Sequence, residues 1–190
     1  MRRALLHETD AVIAFYRKLM TDNASSPYHP DWRPDIYPTD KQIADYIARE
    51  ELYVRDEPSD AGKDKYIAAF ALSGEPVDGY DTVQWRVNAS WEETAVVHLL
   101  CVACAYQHRG IGRQTVDALL SICRDMGKKA VRLDVMTKNL PAQKLYASAG
   151  FVTVGQYEIT YEDTGTMYFY MYEYDLTAKG DGTDAISEAR

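Results

Sequence analysis

Tyr106-Gln107-His108-Arg109-Gly110-Ile111-Gly112 (YQHRGIG) places two glycines one residue apart, directly after an apolar run and directly before a helical pattern. The run before it, Thr94 to Val102 (TAVVHLLCV), is nearly continuous in apolar residues and has the length of a buried strand. The pattern after it, Val116, Leu119, Leu120 and Cys123, repeats at helical spacing and stops at Gly127, a residue suited to a helix C-terminus. A Walker phosphate loop would end in Gly-Lys-Ser/Thr, whereas Gly112 is followed by Arg113 and Gln114. A dinucleotide fingerprint would need a third glycine and a βαβ lead-in, and both are missing. What remains is an ordinary glycine-rich helix start or a cradle for a diphosphate. In a cradle, unsatisfied N–H groups and the helix dipole would face the anion. Gly110 and Gly112 would give it clearance, and His108, Arg109 and Arg113 would add charge.

The flanking chain predicts a mixed α/β order. Arg2 to Leu6 reads as a short strand, and Thr9 or Asp10 as the cap of a helix with Val12, Tyr16, Leu19 and Met20 on one face. Residues 22–38 hold four prolines and no period, which predicts a long loop of the kind that carries function. Thr39-Asp40-Lys41-Gln42 has the form of a capping box, and Ile43, Tyr46 and Ile47 give the next helix its apolar side. Glu51 to Arg55 and Lys65 to Leu72 read as a hairpin around the turn at 57–64. Residues 74–93 form a second irregular insertion, with Trp85 and Trp91. Ala130 to Met136 is a strand, and Pro141 to Ala149 is a helix closed by Gly150. Gln156 to Tyr161 and Met167 to Asp175 form a last hairpin around 162–165. Tyr168, Tyr170, Tyr172 and Tyr174 alternate on it and so share one face. The expected unit is one domain over 1–176, with 177–190 as a tail that has little to bury.

Composition bounds the function. Apolar residues make up 46% of 190 residues, enough for a real core, and no run approaches the length that spans a bilayer. A net charge of −8 argues against a nucleic-acid footprint. Cys101, Cys104 and Cys123 are odd in number, and CVAC has no second pair. They read as free thiols of a cytoplasmic protein and not as a metal or dithiol site.

VACAYQHRGIG resembles the motif V-x-P-x-(Y)-Q/R-x-x-G-x-G/A of the GNAT family, the Gcn5-related N-acetyltransferases. Val102, Gln107, Gly110 and Gly112 match it, and Cys104 stands at the usual proline position. Downstream, Asn139-Leu140-Pro141-Ala142-Gln143-Lys144-Leu145-Tyr146 followed by Gly150-Phe151 is similar to the family's N-x-x-A-x-x-L-Y-x-x-x-G-F. The resemblance implies a mostly antiparallel mixed sheet with flanking helices, whose central parallel strands, Thr94–Val102 and Ala130–Met136, splay apart around acetyl-CoA. It implies that the pyrophosphate sits on Gln107, His108, Arg109, Gly110, Ile111, Gly112 and Arg113. The pantetheine would pair with backbone near Cys101 and Val102, where one N–H would polarise the thioester carbonyl, and Asn139, Ala142 and Tyr146 would face it from the other side.

The implied reaction is direct attack by a primary amine of a small molecule, amino acid or peptide. Tyr146 resembles the family tyrosine that protonates the coenzyme A sulfur; the bland alternative is an aromatic packed on the pantetheine. For the base, His98 lies four residues before Val102 on what the alternation makes the same face, and a histidine stands there in some family members. Asp134 lies twelve residues before Tyr146, where some members carry a glutamate; a solvated or salt-bridged carboxylate is its ordinary role. A water relay is the third option. The acceptor site implied by the family comes from the loop with Trp32 and Tyr37 and from the tyrosine face of the last hairpin, with Asp31, Asp35 and Glu158 as acidic neighbours. Those tyrosines would equally suit a sheet cover or a homodimer interface. The alternative function is a module that binds or senses acyl-CoA without turnover.

Overall fold

A computed structural model describes residues 1–57, 65–77, 79–161 and 165–178. Residues 58–64, 78 and 162–164 and those from 179 onward, on which the two expected hairpin turns and most of the expected tail fall, lie outside the described residues. In chain order the elements are β1 (Arg2–Arg3), α1 (Thr9–Asn23), α2 (Asp40–Ala48), β2 (Leu52–Asp56), β3 (Tyr66–Ser73), β4 (Thr94–Val102), α3 (Ile111–Asp125), β5 (Ala130–Met136), α4 (Leu140–Ser148), β6 (Val152–Tyr161) and β7 (Gly165–Asp175). The strands form one sheet in the order β1-β2-β3-β4-β5-β7-β6, in which only β4 and β5 run parallel. The expected fold class is therefore the observed one.

Local chemistry explains most boundaries. Thr39 caps α2 in a full capping box: its hydroxyl accepts from the Gln42 amide, and the Gln42 side chain accepts from the Thr39 amide. The expected cap of α1 at Thr9 or Asp10 does not form. Thr9 is already helical and its hydroxyl donates to the Leu6 carbonyl, after a short 3-10 turn over Leu6–Glu8 that cuts β1 to two residues. Asn139 caps α4 through its side-chain oxygen, with Pro141 in the first turn.

The sheet buries both faces, and β3 is buried along its whole length. One face packs on α3 and α4 through Val97, Val131, Leu133, Val135, Leu119 and Tyr146. The other is covered at one end by α1 and α2, through Val12, Tyr16, Ile43 and Ile47. At the other end it is covered by the insertion after β3, through Tyr80 and Val83. That insertion is irregular but anchored. Arg132 on β5 lies between the rings of Trp85 and Trp91, 4.6 and 5.1 Å from their centroids. Its guanidinium pairs with Glu173 on β7 at 3.0 Å and donates to the Val87 carbonyl, while the second Glu173 oxygen accepts from the Arg86 and Val87 amides. Five groups of an irregular segment are thus tied to the underside of the sheet.

Candidate active site

The parallel pair β4–β5 is bonded only over Thr94–Val96 against Ala130–Arg132. Beyond it the two strands part, and a cavity of about 590 Å³ opens between them. His98, Leu99 and Leu100 line it from β4, Asp134 and Met136 from β5, and Asn139, Ala142 and Tyr146 from α4 and its cap. Trp32, Tyr37, Tyr46 and Arg49 close it from the side of α2 and the long loop. The structure thus brings together all three expected catalytic candidates, the two aromatic acceptor candidates and, counting Tyr146 again, three of the expected cofactor residues.

A bulge in β4 shapes this site. Ala69 pairs with Cys101 and Ala71 with His98, so one extra β4 residue is inserted, and Leu99 takes φ +58°. The buried Tyr16 hydroxyl donates to the Leu99 carbonyl at 3.0 Å and holds the bulge from α1. The insertion reverses the alternation, which corrects the expectation that His98 and Val102 share a face. His98 meets Tyr46 on the α2 side, whereas Val102 lies against Gly112 and α3. Cys101 points to the α1 side, where burial pushes its thiol up to about 12. Ala103 donates its amide to Ile67 on β3, so by the alternation of antiparallel pairing Val102 turns its backbone toward the gap.

The three titratable candidates differ in state. His98 bonds Ser73 Oγ through Nε2 at 3.0 Å, and its pKa is lowered to about 4, by burial first and Arg49 second. Asp134 makes no salt bridge among the described residues and sits half-buried in the cavity wall. It accepts a 2.8 Å hydrogen bond from the Tyr80 hydroxyl, and burial raises its pKa. Tyr146 is buried, and burial and then the Asp134 charge raise its pKa far above the ordinary phenol value. Its ring packs against Phe151 and Tyr172.

At the glycine turn the expectations divide. Gly110 is left-handed at φ +76°, and a Cβ there would meet nothing closer than the end of Gln114 at 3.9 Å. Gly112 differs: a Cβ there would make ordinary contact with Leu145, 3.4 Å away on α4, and with Val102. The first backbone bond of α3 runs from Gln114 to Gly110, leaving the amides of Ile111, Gly112 and Arg113 pointing outward. Arg113, half-exposed, bonds Asp117 and the Ser148 carbonyl. Gln107 spends its side chain on the Val102 carbonyl. Arg109 stacks on Tyr106 and His108 takes φ +59°. Arg55 on β2 reaches Gln114 beside this turn, a cation that sequence spacing gave no means of placing.

The tyrosine face of the last hairpin is also corrected. Tyr170, Tyr172 and Tyr174 pack on the α3–α4 side, away from the cavity, and it is Phe169 and Met167 on the opposite face that line it. Asp31 and Glu75 are the acidic residues at the mouth, whereas Asp35 and Glu158 are not among the lining residues. Asp31 also pairs with Lys138 across to the β5–α4 loop. A second cavity of about 430 Å³, lined by Leu19, Met20 and Arg33, adjoins the first through Trp32 and Met167.

Comparison with known proteins gives this geometry its context. A family model described as the acetyltransferase (GNAT) family matches residues 13–151. N-alpha-acetyltransferase RimI of Mycobacterium tuberculosis is 37% identical over 101 residues, 51% of this chain, and the match spans 61% of that relative's length. Streptothricin acetyltransferase of Escherichia coli is 24% identical over 126 residues, 63% of this chain and 71% of the relative. Among solved structures, a GNAT-family acetyltransferase from Streptococcus agalactiae superposes with a TM-score of 0.71 at 17% identity, covering 92% of this chain and 94% of its own. A Salmonella typhimurium protein described as an acetyltransferase, solved with its cofactor acetyl-CoA, gives 0.65 at 19% identity and covers 97% and 96%. The family match takes in both motif regions and the parted strands between them, and the chain belongs to the acetyltransferase (GNAT) family.

Proposed function

We propose that the protein transfers the acetyl group of acetyl-CoA to a primary amine bound in the β4–β5 cavity. Asp134 removes the amine's proton and Tyr146 returns one to the leaving sulfur. The observation that carries this reading is the meeting of buried Tyr146 and half-buried Asp134 in one cavity, at the point where the parallel strands separate. Acetyl-CoA, when bound, supplies an acetyl group activated as a thioester.

The residues present fit that ligand. Left-handed Gly110 and the free first-turn amides of α3 suit a diphosphate, with Arg109 and Arg55 nearby as cations. The backbone of Val102, turned into the gap, suits an extended amide chain and offers an N–H to a carbonyl oxygen. Burial favours the division of labour between the two catalytic groups. A raised pKa makes the Asp134 carboxylate a stronger base, and it keeps Tyr146 protonated as a donor at neutral pH. His98 fits the base role poorly, because its lowered pKa leaves little drive to take a proton from an ammonium. Its bond to Ser73 instead suits it to shaping the cavity wall.

Trp32, Tyr37, Tyr46 and Phe169 give the acceptor an aromatic lining, and Glu75 gives it negative charge, beside Asp31 in its ion pair with Lys138. Both attract an ammonium-bearing small molecule, amino acid or peptide. The test is a panel of amines assayed for thiol release from acetyl-CoA, with Tyr146→Phe and Asp134→Asn beside the parent protein. Release that depends on the amine and collapses in both variants is expected. Amine-independent behaviour identical in all three proteins would leave only a binding role.

A further inference from the structure

We propose that Tyr80, carried on the insertion between β3 and β4, is a positioning residue that holds Oδ1 of Asp134 so that Oδ2 meets the incoming amine. This rests on Asp134 acting as the base. The geometry behind it is specific. Tyr80 is fully buried, in a single 3-10 turn (Tyr80–Thr82) that begins at left-handed Gly79, φ +87°. Its hydroxyl reaches across 54 positions of sequence to the Asp134 carboxylate at 2.8 Å. The ring is held by Trp85 and Trp91, with centroids 5.3 and 6.4 Å away, and the Tyr80 carbonyl accepts from Trp85 Nε1. The same two indoles flank Arg132. One anchor therefore fixes both the insertion and the angle at which its phenol meets β5.

The surroundings of Asp134 leave Tyr80 as its particular partner. From α4 the neighbouring group is Tyr146, from β4 it is His98, and in register on β7 it is the uncharged Met171. The nearest charges along the strands, Arg132 and Glu173, are paired with each other. A donor aimed at a carboxylate stabilises its charged form. Tyr80 thus opposes the effect of burial, keeping Asp134 ionised at a pH where the amine still needs a base.

Tyr80→Phe deletes one hydroxyl and leaves the buried ring in place. The Asp134 carboxyl is followed by its infrared C=O band against pH, assigned by difference from Asp134→Asn, and the acidic limb of kcat/KM is measured on the same proteins. Loss of one hydrogen bond to a charged group raises the titration midpoint by about one to two pH units, and the acidic limb moves with it. A midpoint that stays in place in Tyr80→Phe overturns the inference. A midpoint that rises while the acidic limb does not, or activity that survives Asp134→Asn, overturns the assignment of Asp134 as base, and with it any catalytic role for Tyr80. Loss of activity at all pH values with no shift in the band marks Tyr80 as structural only and equally overturns the inference.

Discussion

Glu173→Gln is the substitution whose cost the structure defines most sharply. Glu173 and Arg132 are 1% and 3% exposed, their closest atoms lie 3.0 Å apart, and both Glu173 oxygens and two of the Arg132 nitrogens are hydrogen-bonded. Glutamine keeps the size and an acceptor oxygen, but it removes the negative charge and leaves the Arg132 guanidinium buried without compensation. Breaking one side of a buried pair costs about 3–5 kcal/mol. The retained acceptor places this isosteric change near the lower figure, about 3 kcal/mol. For a chain of this size that is a drop of about 6–12 °C in thermal midpoint. The assay is urea unfolding followed by tryptophan fluorescence, since Trp85 and Trp91 sit on the anchor itself. The exposed i,i+4 pair Arg113–Asp117 supplies the control, and Asp117→Asn there costs no more than about 0.5 kcal/mol. A loss below about 1 kcal/mol in Glu173→Gln would refute the view that this pair pins the insertion.

Three further outcomes are expected. His98 has a folded pKa below its unfolded one, so its contribution is fully present above the unfolded value of 6.5 and is lost as pH falls toward about 4. The parent protein therefore loses about 2 kcal/mol more than His98→Asn between pH 7 and pH 4.5, as read by urea unfolding at the two pH values. Gly110→Ala forces a side chain into the left-handed region and costs about 1 kcal/mol, whereas Gly112→Ala brings a methyl to ordinary contact with Leu145 and changes stability by less than about 0.5 kcal/mol. Tyr146→Phe lowers kcat by about 100-fold or more with little change in the affinity for acetyl-CoA; an equal change in both would make the residue a packing aromatic.

The sequence made the frame of the site legible because its signals are local. The ends of β4 and β5, the Thr39 capping box and the two glycine motifs each follow from neighbours within a few residues. What stayed hidden depends on tertiary pairing. The β4 bulge is a single inserted residue at Leu99, a leucine with no turn signal, and it reverses every facing inferred across it. The facing of the hairpin tyrosines was fixed relative to one another by alternation, but which sheet face they took was set by the register of β7 on β5, which puts Tyr170, Tyr172 and Tyr174 opposite Val135, Leu133 and Val131. Tyr80 and Arg132 were invisible for the same reason: their partners, Asp134 and Glu173, lie 54 and 41 positions away. Leu145 beside Gly112 is a further neighbour that local sequence gave no means of placing.

The most direct measurement is a calorimetric titration of the full chain with acetyl-CoA. The account predicts saturable binding of one acetyl-CoA per chain, weakened in Gly110→Ala and retained in Tyr146→Phe. No heat of binding at acetyl-CoA concentrations up to about 1 mM, corresponding to an affinity weaker than about −4 kcal/mol, would contradict it.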